Sequence, residues 1–530
     1  MASLGPEPAP AAPTSRFSPL WLLALLLLMA VAARNLLALD TVPPGMYVDE
    51  ASIGYNAWAI AVHGVDEHGS HFPLYFQAFG ESKNPVYIYT LAALLRFTPL
   101  TPYAERVPAA VFGVMAVLFM ALAGWRVSGS RAVTLVMLAL AAVTPWLTQE
   151  SRVGFEVISM VAALSVAIWC IADETRLTRA RFLSAGVFFA LAIFAYSTGR
   201  LVIALFAVVL VVVYARSRAR GWWLALIPIV AGYAALGVWA LTHPGALTAE
   251  FSLISIGADG ASAGTVVARF FSNYIQYFSP DFLFIHGDPN PRHNTGFAGM
   301  LLAVTAPLLL LGLWECWRRR AQRLPSFLVL CLLVAPIPAA LTNSGDTGHA
   351  LRGAVMLPFI LVLAALGATR LAALIRIRAA GIAVLAGGVA AQAALYAVDM
   401  YTAYPARAAS AFDTGALSAV QVAASAAHGH RVFLSSNMDE QPYIDAFFVL
   451  LPAPPSGYLD DAAGRGLRLL NMVAGDAAAN EAAAQPGDIL VLAASDPRPA
   501  RTAQLIDAER AAPAAGQRQG QLLYVVYRLA

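Results

Sequence analysis

Long apolar runs separated by short polar stretches fill most of the chain up to about residue 400. An α-helix of about 20 apolar residues spans the ~30 Å hydrocarbon core of a bilayer. The pattern therefore predicts a polytopic α-helical membrane protein with about 11–13 transmembrane helices. The apolar runs cover residues 20–39, 107–125, 131–148, 155–172, 182–196, 200–215, 222–242, 297–317, 325–341, 351–369 and 379–398.

The arginines between these runs predict the orientation, because cytoplasmic loops of membrane proteins carry an excess of positive charge. Arginine-rich connections at 126–131, 176–181, 216–220, 318–323 and 370–378 alternate with arginine-poor ones. The arginine-poor loops 40–85 and 243–296 are therefore placed outside. Eleven crossings satisfy this alternation if segment 86–100 is a short juxtamembrane or re-entrant helix.

The pattern changes after about residue 400, where short β-type runs at 431–435, 488–492 and 522–527 alternate with Ala-rich helical stretches. This indicates a small α/β domain on the outer face. We therefore divide the chain into a cytoplasmic tail (1–17), a transmembrane catalytic domain (18–400) and an external α/β domain (401–530).

Composition agrees with a membrane protein, since 59% of the 530 residues are hydrophobic and only 12% are charged. Average globular chains carry about 25% charged residues, so a soluble chain of this kind would lack the polar surface to cover its core. Secreted enzymes, nucleic-acid binders and disordered scaffolds are excluded. The three cysteines lie in apolar runs without CxxC spacing, and they provide neither a disulfide framework nor a zinc site.

The first external loop contains a candidate acidic site. Asp49 and Glu50 begin a segment whose apolar residues, such as Ile53 and Trp58, predict an amphipathic helix at the membrane surface. Tyr55 of the same segment is a further candidate for substrate binding. The alternative is that the two acids only cap the helix, because negative charge is favourable at a helix N-terminus.

Lys83 is the only lysine in a chain that has arginine at its 33 other basic positions. A lysine ammonium is a compact charge that suits a phosphate oxygen, and arginine does not replace it freely. The alternative is an interfacial lysine that flanks a membrane helix.

Three further polar clusters lie on the same predicted face. Arg152 and Glu156 are spaced i,i+4 at a helix junction, so they are either functional or a salt bridge on one helix. The run 286–293 is a candidate cleft lining. His349 and Arg352 lie at the external end of a predicted helix. The alternative to a functional Arg352 is an arginine that only extends its charged group toward the membrane surface.

Four of these motifs in order resemble the bacterial members of the family 39 glycosyltransferases. That family includes the protein O-mannosyltransferases and the aminoarabinose transferase that modifies lipid A. The resemblance covers roughly residues 18–370 and rests on Asp49-Glu50, Lys83-Asn84-Pro85, Glu105-Arg106-Val107-Pro108 and Arg152…Glu156. It implies the GT-C membrane fold and a polyprenyl-phosphate-linked sugar donor, used on the extracytoplasmic side.

The resemblance also implies roles for individual residues. Asp49 would be the catalytic carboxylate and Glu50 its neighbour in the acceptor site. Lys83 would bind the donor phosphate, and Arg106 would support that loop or the phosphate. Glu156 stands where many relatives have aspartate, and with Asp49 it would be a candidate ligand of a divalent metal, magnesium or manganese. Other candidates for donor or substrate binding are Tyr55, Arg152, His349 and Arg352.

Together these observations predict an inverting glycosyltransferase of the bacterial inner membrane, with its active site on the periplasmic face. Asp49 as a general base would remove the proton of an acceptor hydroxyl, and cations would stabilise the departing phosphate. The acceptor is a lipid, a glycan or a protein. The alternatives are a polytopic lipid or oligosaccharide flippase and a ligase that transfers a whole oligosaccharide.

Overall fold

The computed structural model describes residues 19–216, 221–343, 348–374, 378–454, 468–469, 471–514, 517 and 519–530. The predicted cytoplasmic tail, 1–17, lies outside these residues. So do parts of two arginine-rich connections, 217–220 and 375–377.

The first half of the membrane region is helical, as the apolar runs predict, with one small hairpin in the first external loop. Its helices are α1 Pro19–Leu36, α2 Val48–His63, α3 Pro85–Leu95, α4 Pro102–Ser128, α5 Arg131–Val143, α6 Pro145–Glu150, α7 Val157–Ile171, α8 Arg179–Ala195, α9 Gly199–Tyr214 and α10 Leu226–Thr242. The hairpin strands are β1 Phe76–Ala78 and β2 Glu81–Lys83.

The second half of the membrane region consists of α11 Ala249–Ile254, α12 Ala263–Gln276, α13 Thr305–Arg318, α14 Arg323–Val334, α15 Ile337–Ala340, α16 Ala350–Gly353, α17 Leu357–Leu374 and α18 Arg378–Thr402. The apolar run 297–317 becomes helical only at Thr305. Before that point the backbone N–H groups of Met300 and Leu301 donate to the carbonyls of Phe282 and Leu283, so this stretch pairs with a neighbouring π-helical turn instead.

Among the residues that the structure describes, four stretches are long and apolar enough to cross a membrane by length and composition: Pro102–Ser128, Trp222–Thr242, Arg323–Ala340 and Ala350–Leu371. Shorter apolar helices, such as α7 and α9, accompany them. The α3 helix has only 11 residues, so at 1.5 Å per residue it is about 16 Å long and does not span. This confirms the short helix predicted for segment 86–100.

Helices α13 and α17 cross with their backbones in contact. A Cβ atom on Gly312 would overlap the carbonyl oxygen of Leu363, and one on Gly367 would overlap that of Leu308. Small residues that let helices approach closely are typical of helix pairs in membranes. This pair fixes the centre of the second half of the membrane region.

The C-terminal region is an α/β unit with a six-stranded sheet. Its helices are α19 Tyr404–Ala408, α20 Ala416–Ala427, α21 Pro442–Leu450 and α22 Ala477–Ala483, and its strands are β3 Val432–Ser435, β4 Arg468–Leu469, β5 Met472–Gly475, β6 Ile489–Ala493, β7 Ala503–Arg510 and β8 Leu522–Leu529. The strand order is β4-β5-β3-β6-β8-β7, with β5, β3 and β6 parallel. The three strands expected from the sequence are present as β3, β6 and β8.

The structure corrects the expectation that α2 lies at the membrane surface. Most of its residues are buried, among them Ile53 and Ile60, because α3 and α4 cover one side and α21 of the C-terminal unit covers another. Gly54 packs against Phe448, and the Tyr55 hydroxyl donates to the carbonyl of Pro452 at 2.6 Å. The helix that begins with the two acids is therefore held between the two parts of the protein.

We expect Gly312→Val to destabilise the protein by about 1–3 kcal/mol, because extra atoms in a tight contact force the helices apart. Thermal unfolding in detergent measures this as a lower midpoint. Gly237→Val is the matched control, since a Cβ there meets nothing within 4 Å. Equal midpoints for the two variants would show that the α13–α17 contact does not limit stability.

Candidate functional site

The two acids at the start of α2 have different surroundings. Glu50 is fully buried and accepts two hydrogen bonds from Arg106, at 2.8 and 2.9 Å. It also accepts the backbone N–H of Tyr47, so it caps the helix. The side chain of Asp49, in contrast, is 34% exposed and lines a cavity. The capping role thus falls to Glu50, and Asp49 remains accessible.

The β1–β2 hairpin brings Lys83 to Asp49. The ammonium of Lys83 donates to Asp49 at 2.7 Å and to Glu81 at 3.2 Å, and its side chain is only 4% exposed. Burial lowers the pKa of Lys83, but Asp49, Glu81 and Glu156 outweigh this effect and hold the pKa above its ordinary value. Lys83 is therefore a permanent cation in the wall of the cavity.

Glu156 lies at the N-terminus of α7 and is bound by Asn84. Its two carboxylate oxygens accept the backbone N–H and the side-chain amide of Asn84. The Asn84 side-chain oxygen in turn accepts from Arg200 at 3.1 Å. Burial raises the pKa of Glu156 to about 7, although Lys83 and Asn84 oppose the rise. This carboxyl thus titrates near neutral pH.

The cavity between these groups has a volume of about 260 Å³. Its opposite wall comes from the run 286–293 and from the start of α16, and it is rich in cations and imidazoles. Its polar lining consists of Tyr47, Asp49, Glu81, Ser82, Lys83, Asn84, Glu156, Tyr196, Ser197, Asn290, Arg292, His293, His349 and Arg352. An anion with several oxygens, such as a phosphate, finds three basic side chains here.

Two of these basic side chains are held in place by neighbouring groups. The Arg292 guanidinium lies 3.7 Å from the ring centre of Tyr47, a cation–π contact. Arg352 donates to the Thr342 hydroxyl at 3.0 Å. Burial, together with His293 and Arg352, lowers the pKa of His349 well below its ordinary value, so this imidazole is neutral.

Two further cavities adjoin the first. One, of about 250 Å³, shares Ser197 and Arg352 with it and is otherwise mainly apolar, with Leu201, Phe251 and Leu341 in its wall. The other, of about 730 Å³, shares Glu81 and Ser82 and lies next to His71, Tyr75, Trp239 and His243. The polar cavity therefore lies between an apolar chamber and a wider one.

The structure brings Asp49, Lys83, Glu156, His349 and Arg352 together at this cavity. It does not bring Glu50, Arg106, Tyr55 or Arg152 there, because these four are buried by protein contacts.

Each of the four has a structural partner instead. For Arg106 this agrees with one of its two expected roles, the support of the first loop, because it also donates to the carbonyls of Pro43 and Gly45. Glu50 and Arg106 bind each other. Tyr55 binds the C-terminal unit. Arg152 donates to backbone carbonyls of the segment after α1, including those of Leu37 and Val42, rather than to Glu156.

The metal expected at Asp49 and Glu156 can be compared with this geometry. Asp49 binds an ammonium, and both oxygens of Glu156 accept from Asn84. These acids already have protein donors, and they fit magnesium or manganese poorly. Metal dependence stays a prediction.

The sequence did not predict the contributions of Asn84, Arg292 and His293 to the cavity. Asn84, which the sequence did not single out, is the residue that positions Glu156. Arg292 and His293 stood within a run expected to line a cleft, but nothing local singled them out.

No protein-family model matches the chain, and no curated protein matches it in sequence. Solved structures do match. ArnT from Cupriavidus metallidurans in the apo state has a TM-score of 0.59 at 13% identity, covering 96% of this chain and 98% of that one. The same protein bound to undecaprenyl phosphate has a TM-score of 0.57 at 12% identity, with the same coverage. The chain therefore has the GT-C membrane fold over nearly its whole length.

We expect Arg106→Met to lower stability by about 3–5 kcal/mol, because it leaves the Glu50 carboxylate buried without a partner. Chemical unfolding of the purified protein measures the loss. Arg269→Met, which removes an exposed pair with Asp259, serves as the control and should leave the midpoint unchanged. A parental midpoint for Arg106→Met would mean that the pair does not hold the α2–α4 junction.

We also expect Glu156 to make stability depend on pH. Its pKa of about 7 in the folded protein is above the value of 4.5 for a free glutamate. Folding therefore favours the protonated form, and stability falls as the pH rises from about 4.5 to about 7 and levels off above that. Glu156→Gln, which cannot ionise, should flatten the change in unfolding midpoint between about pH 5 and 7. Identical pH profiles for the two proteins would contradict this assignment.

Proposed function

We propose that the chain transfers a sugar from a polyprenyl-phosphate-linked donor to an acceptor on the extracytoplasmic face of a bacterial inner membrane. The observation that carries this proposal is the Asp49–Lys83 pair in a polar cavity that opens beside an apolar chamber. A donor of this kind has a phosphate next to a long hydrocarbon chain. The two adjoining cavities match these two parts. The match of fold to ArnT, which was solved with undecaprenyl phosphate bound, supports the same donor class.

In this proposal, Lys83, Arg292 and Arg352 surround the donor phosphate. Ser197 and Arg352, which border both cavities, lie where the phosphate would join the lipid. As the bond between the anomeric carbon and the phosphate oxygen breaks, negative charge accumulates on the phosphate. Cations fixed in the cavity wall stabilise that charge without having to reorganise.

Asp49 is the general base of the proposed reaction. Its carboxylate takes the proton of the acceptor group while the acceptor oxygen bonds to the anomeric carbon from the side opposite the phosphate. One displacement of this kind inverts the configuration of that carbon. The ammonium of Lys83 donates to Asp49 at 2.7 Å and holds its carboxylate in place, and the lipid phosphate leaves with its bonding electron pair.

The two alternative functions, a flippase and an oligosaccharide ligase, differ from this proposal in what the protein moves or transfers. A flippase would carry its cargo along a path of polar groups buried in mid-membrane, whereas fourteen polar side chains here line one cavity. A ligase that transfers a whole oligosaccharide would need more room for the transferred group. The cavity of about 730 Å³ beside Glu81 and Ser82 supports the ligase alternative. The size of the transferred group therefore distinguishes the ligase from a single-sugar transferase.

We expect Asp49→Asn to reduce transfer by roughly 10²-fold or more, because an amide cannot accept the proton. Asn is also a good helix cap, so any structural effect should be small. The measurement is transfer from a synthetic polyprenyl-phosphate sugar, with the product's anomeric configuration read by NMR. Asp40→Asn, an exposed acid of the same loop, is the control.

Lys83→Arg is the companion variant. It keeps the charge but changes its shape, so we expect weaker donor binding, seen as a higher KM, with the fold intact. Transfer by Asp49→Asn at the parental rate would remove Asp49 as the base. Retention of configuration would exclude a single displacement.

A further inference from the structure

Three side chains that commonly bind metals meet behind the wall opposite Asp49. They are Asp288 and His293 of the run 286–293, and His349 just before α16. Each presents one ligand atom, and these atoms lie within 4.8 Å of one another. Asp288 and His293 are 5% and 4% exposed, so this is an interior cluster rather than a surface one.

We propose that Asp288, His293 and His349 form a binding site for a divalent transition metal, with zinc as the preferred ion. Two imidazole nitrogens and one carboxylate oxygen are a common ligand set for zinc. Magnesium and calcium prefer oxygen ligands alone. The site is separate from the Asp49–Glu156 pair, and it does not depend on the cysteines, which the sequence had excluded as zinc ligands.

The hydrogen bonds of Asp288 give the cluster its shape. One carboxylate oxygen accepts the Asn290 backbone N–H at 2.9 Å. The other is bonded to Nδ1 of His293 at 2.8 Å and accepts the Ala350 backbone N–H at 2.7 Å. Because Asp288 also binds Ala350, it draws His349 toward His293.

His349 completes the cluster from the other side. Its ring centre lies 4.6 Å from that of His293, and its Nδ1 is buried without a hydrogen-bond partner among the residues that the structure describes. Leaving such a nitrogen unpaired costs free energy, and a metal ion would satisfy it. Zinc ligands at about 2.0–2.2 Å stand about 3.4 Å apart in a tetrahedron. The Asp288–His293 contact at 2.8 Å would therefore open by about 0.6 Å, and the wider gaps, of up to 4.8 Å, would close by up to about 1.4 Å.

The position of the cluster suggests what the fourth ligand would be. His293 and His349 both line the polar cavity, so an ion held between them would border it. Arg292 and Arg352 line the same wall and add positive charge, which favours an anionic oxygen, such as that of a phosphate, in the open position. The ion would then contribute to anion binding in the cavity.

The test is the metal content of the full chain, purified in detergent without a polyhistidine tag, loaded with zinc and desalted. Mass spectrometry of the metals should find about one zinc per chain. We expect occupancy to fall at least tenfold in His293→Ala and in His349→Ala, and the zinc affinity of Asp288→Asn to fall by about 10- to 100-fold. His286→Ala is the matched control. Its imidazole is exposed and binds only Asp281, at 2.5 Å, so its zinc content should equal that of the parent.

Cobalt loading of the parent gives a second readout that needs neither the variants nor transfer activity. A four-coordinate nitrogen and oxygen site should give a visible cobalt absorption band that zinc abolishes. This readout decides the question if an alanine variant does not fold. Zinc content well below one per chain together with no such band, or equal zinc in the parent and in a folded His293→Ala, would overturn the proposal.

Discussion

The buried pair of Glu50 and Arg106 is the interaction on which the site depends. Arg106 donates to both oxygens of Glu50 and to the carbonyls of Leu39, Pro43 and Gly45, while Glu50 also accepts the N–H of Gly154. One ion pair thus joins the end of the first membrane helix, the start of α2, the helix α4 and the turn before α7. Replacing a buried charge of this kind singly is costly. Its geometry fixes the direction of α2, and with it the place of the neighbouring Asp49.

As a consequence, the adjacent acids Glu50 and Asp49 have different roles. Successive residues on a helix point about 100° apart, so when Glu50 faces the interior, Asp49 faces the cavity. The hairpin then supplies Lys83 and the turn before α7 supplies Glu156. The site therefore assembles from three segments distant in sequence, each anchored by a buried contact of its own. Charged side chains held in fixed positions suit a reaction in which charge develops on the substrate.

The sequence predicts the helices well, because membrane-spanning segments must satisfy their backbone groups internally and must be apolar throughout. It also singles out Asp49 and Lys83, which line one cavity, since polar residues stand out in a chain so poor in charge. The sequence does not predict features that depend on contacts between distant parts of the chain, such as the role of a particular arginine or the burial of a helix. Nothing local distinguishes Arg106, which is structural, from Arg292, which lines the cavity. The burial of α2 also depends on α21, which no local pattern in α2 predicts.

The packing of α21 on α2 also determines at what stage of protein synthesis the cavity around Asp49 can form. Tyr47 binds Glu440 and Tyr55 binds Pro452, across 393 and 397 residues of chain. At about 5–20 residues per second, the partners of α2 leave the ribosome roughly 20–80 s after it. The membrane-region helices from α3 to α18 are synthesised during that interval, so they can insert before α2 is covered. Assembly of the segment that contains Asp49 is therefore a late event, coupled to folding of the C-terminal unit.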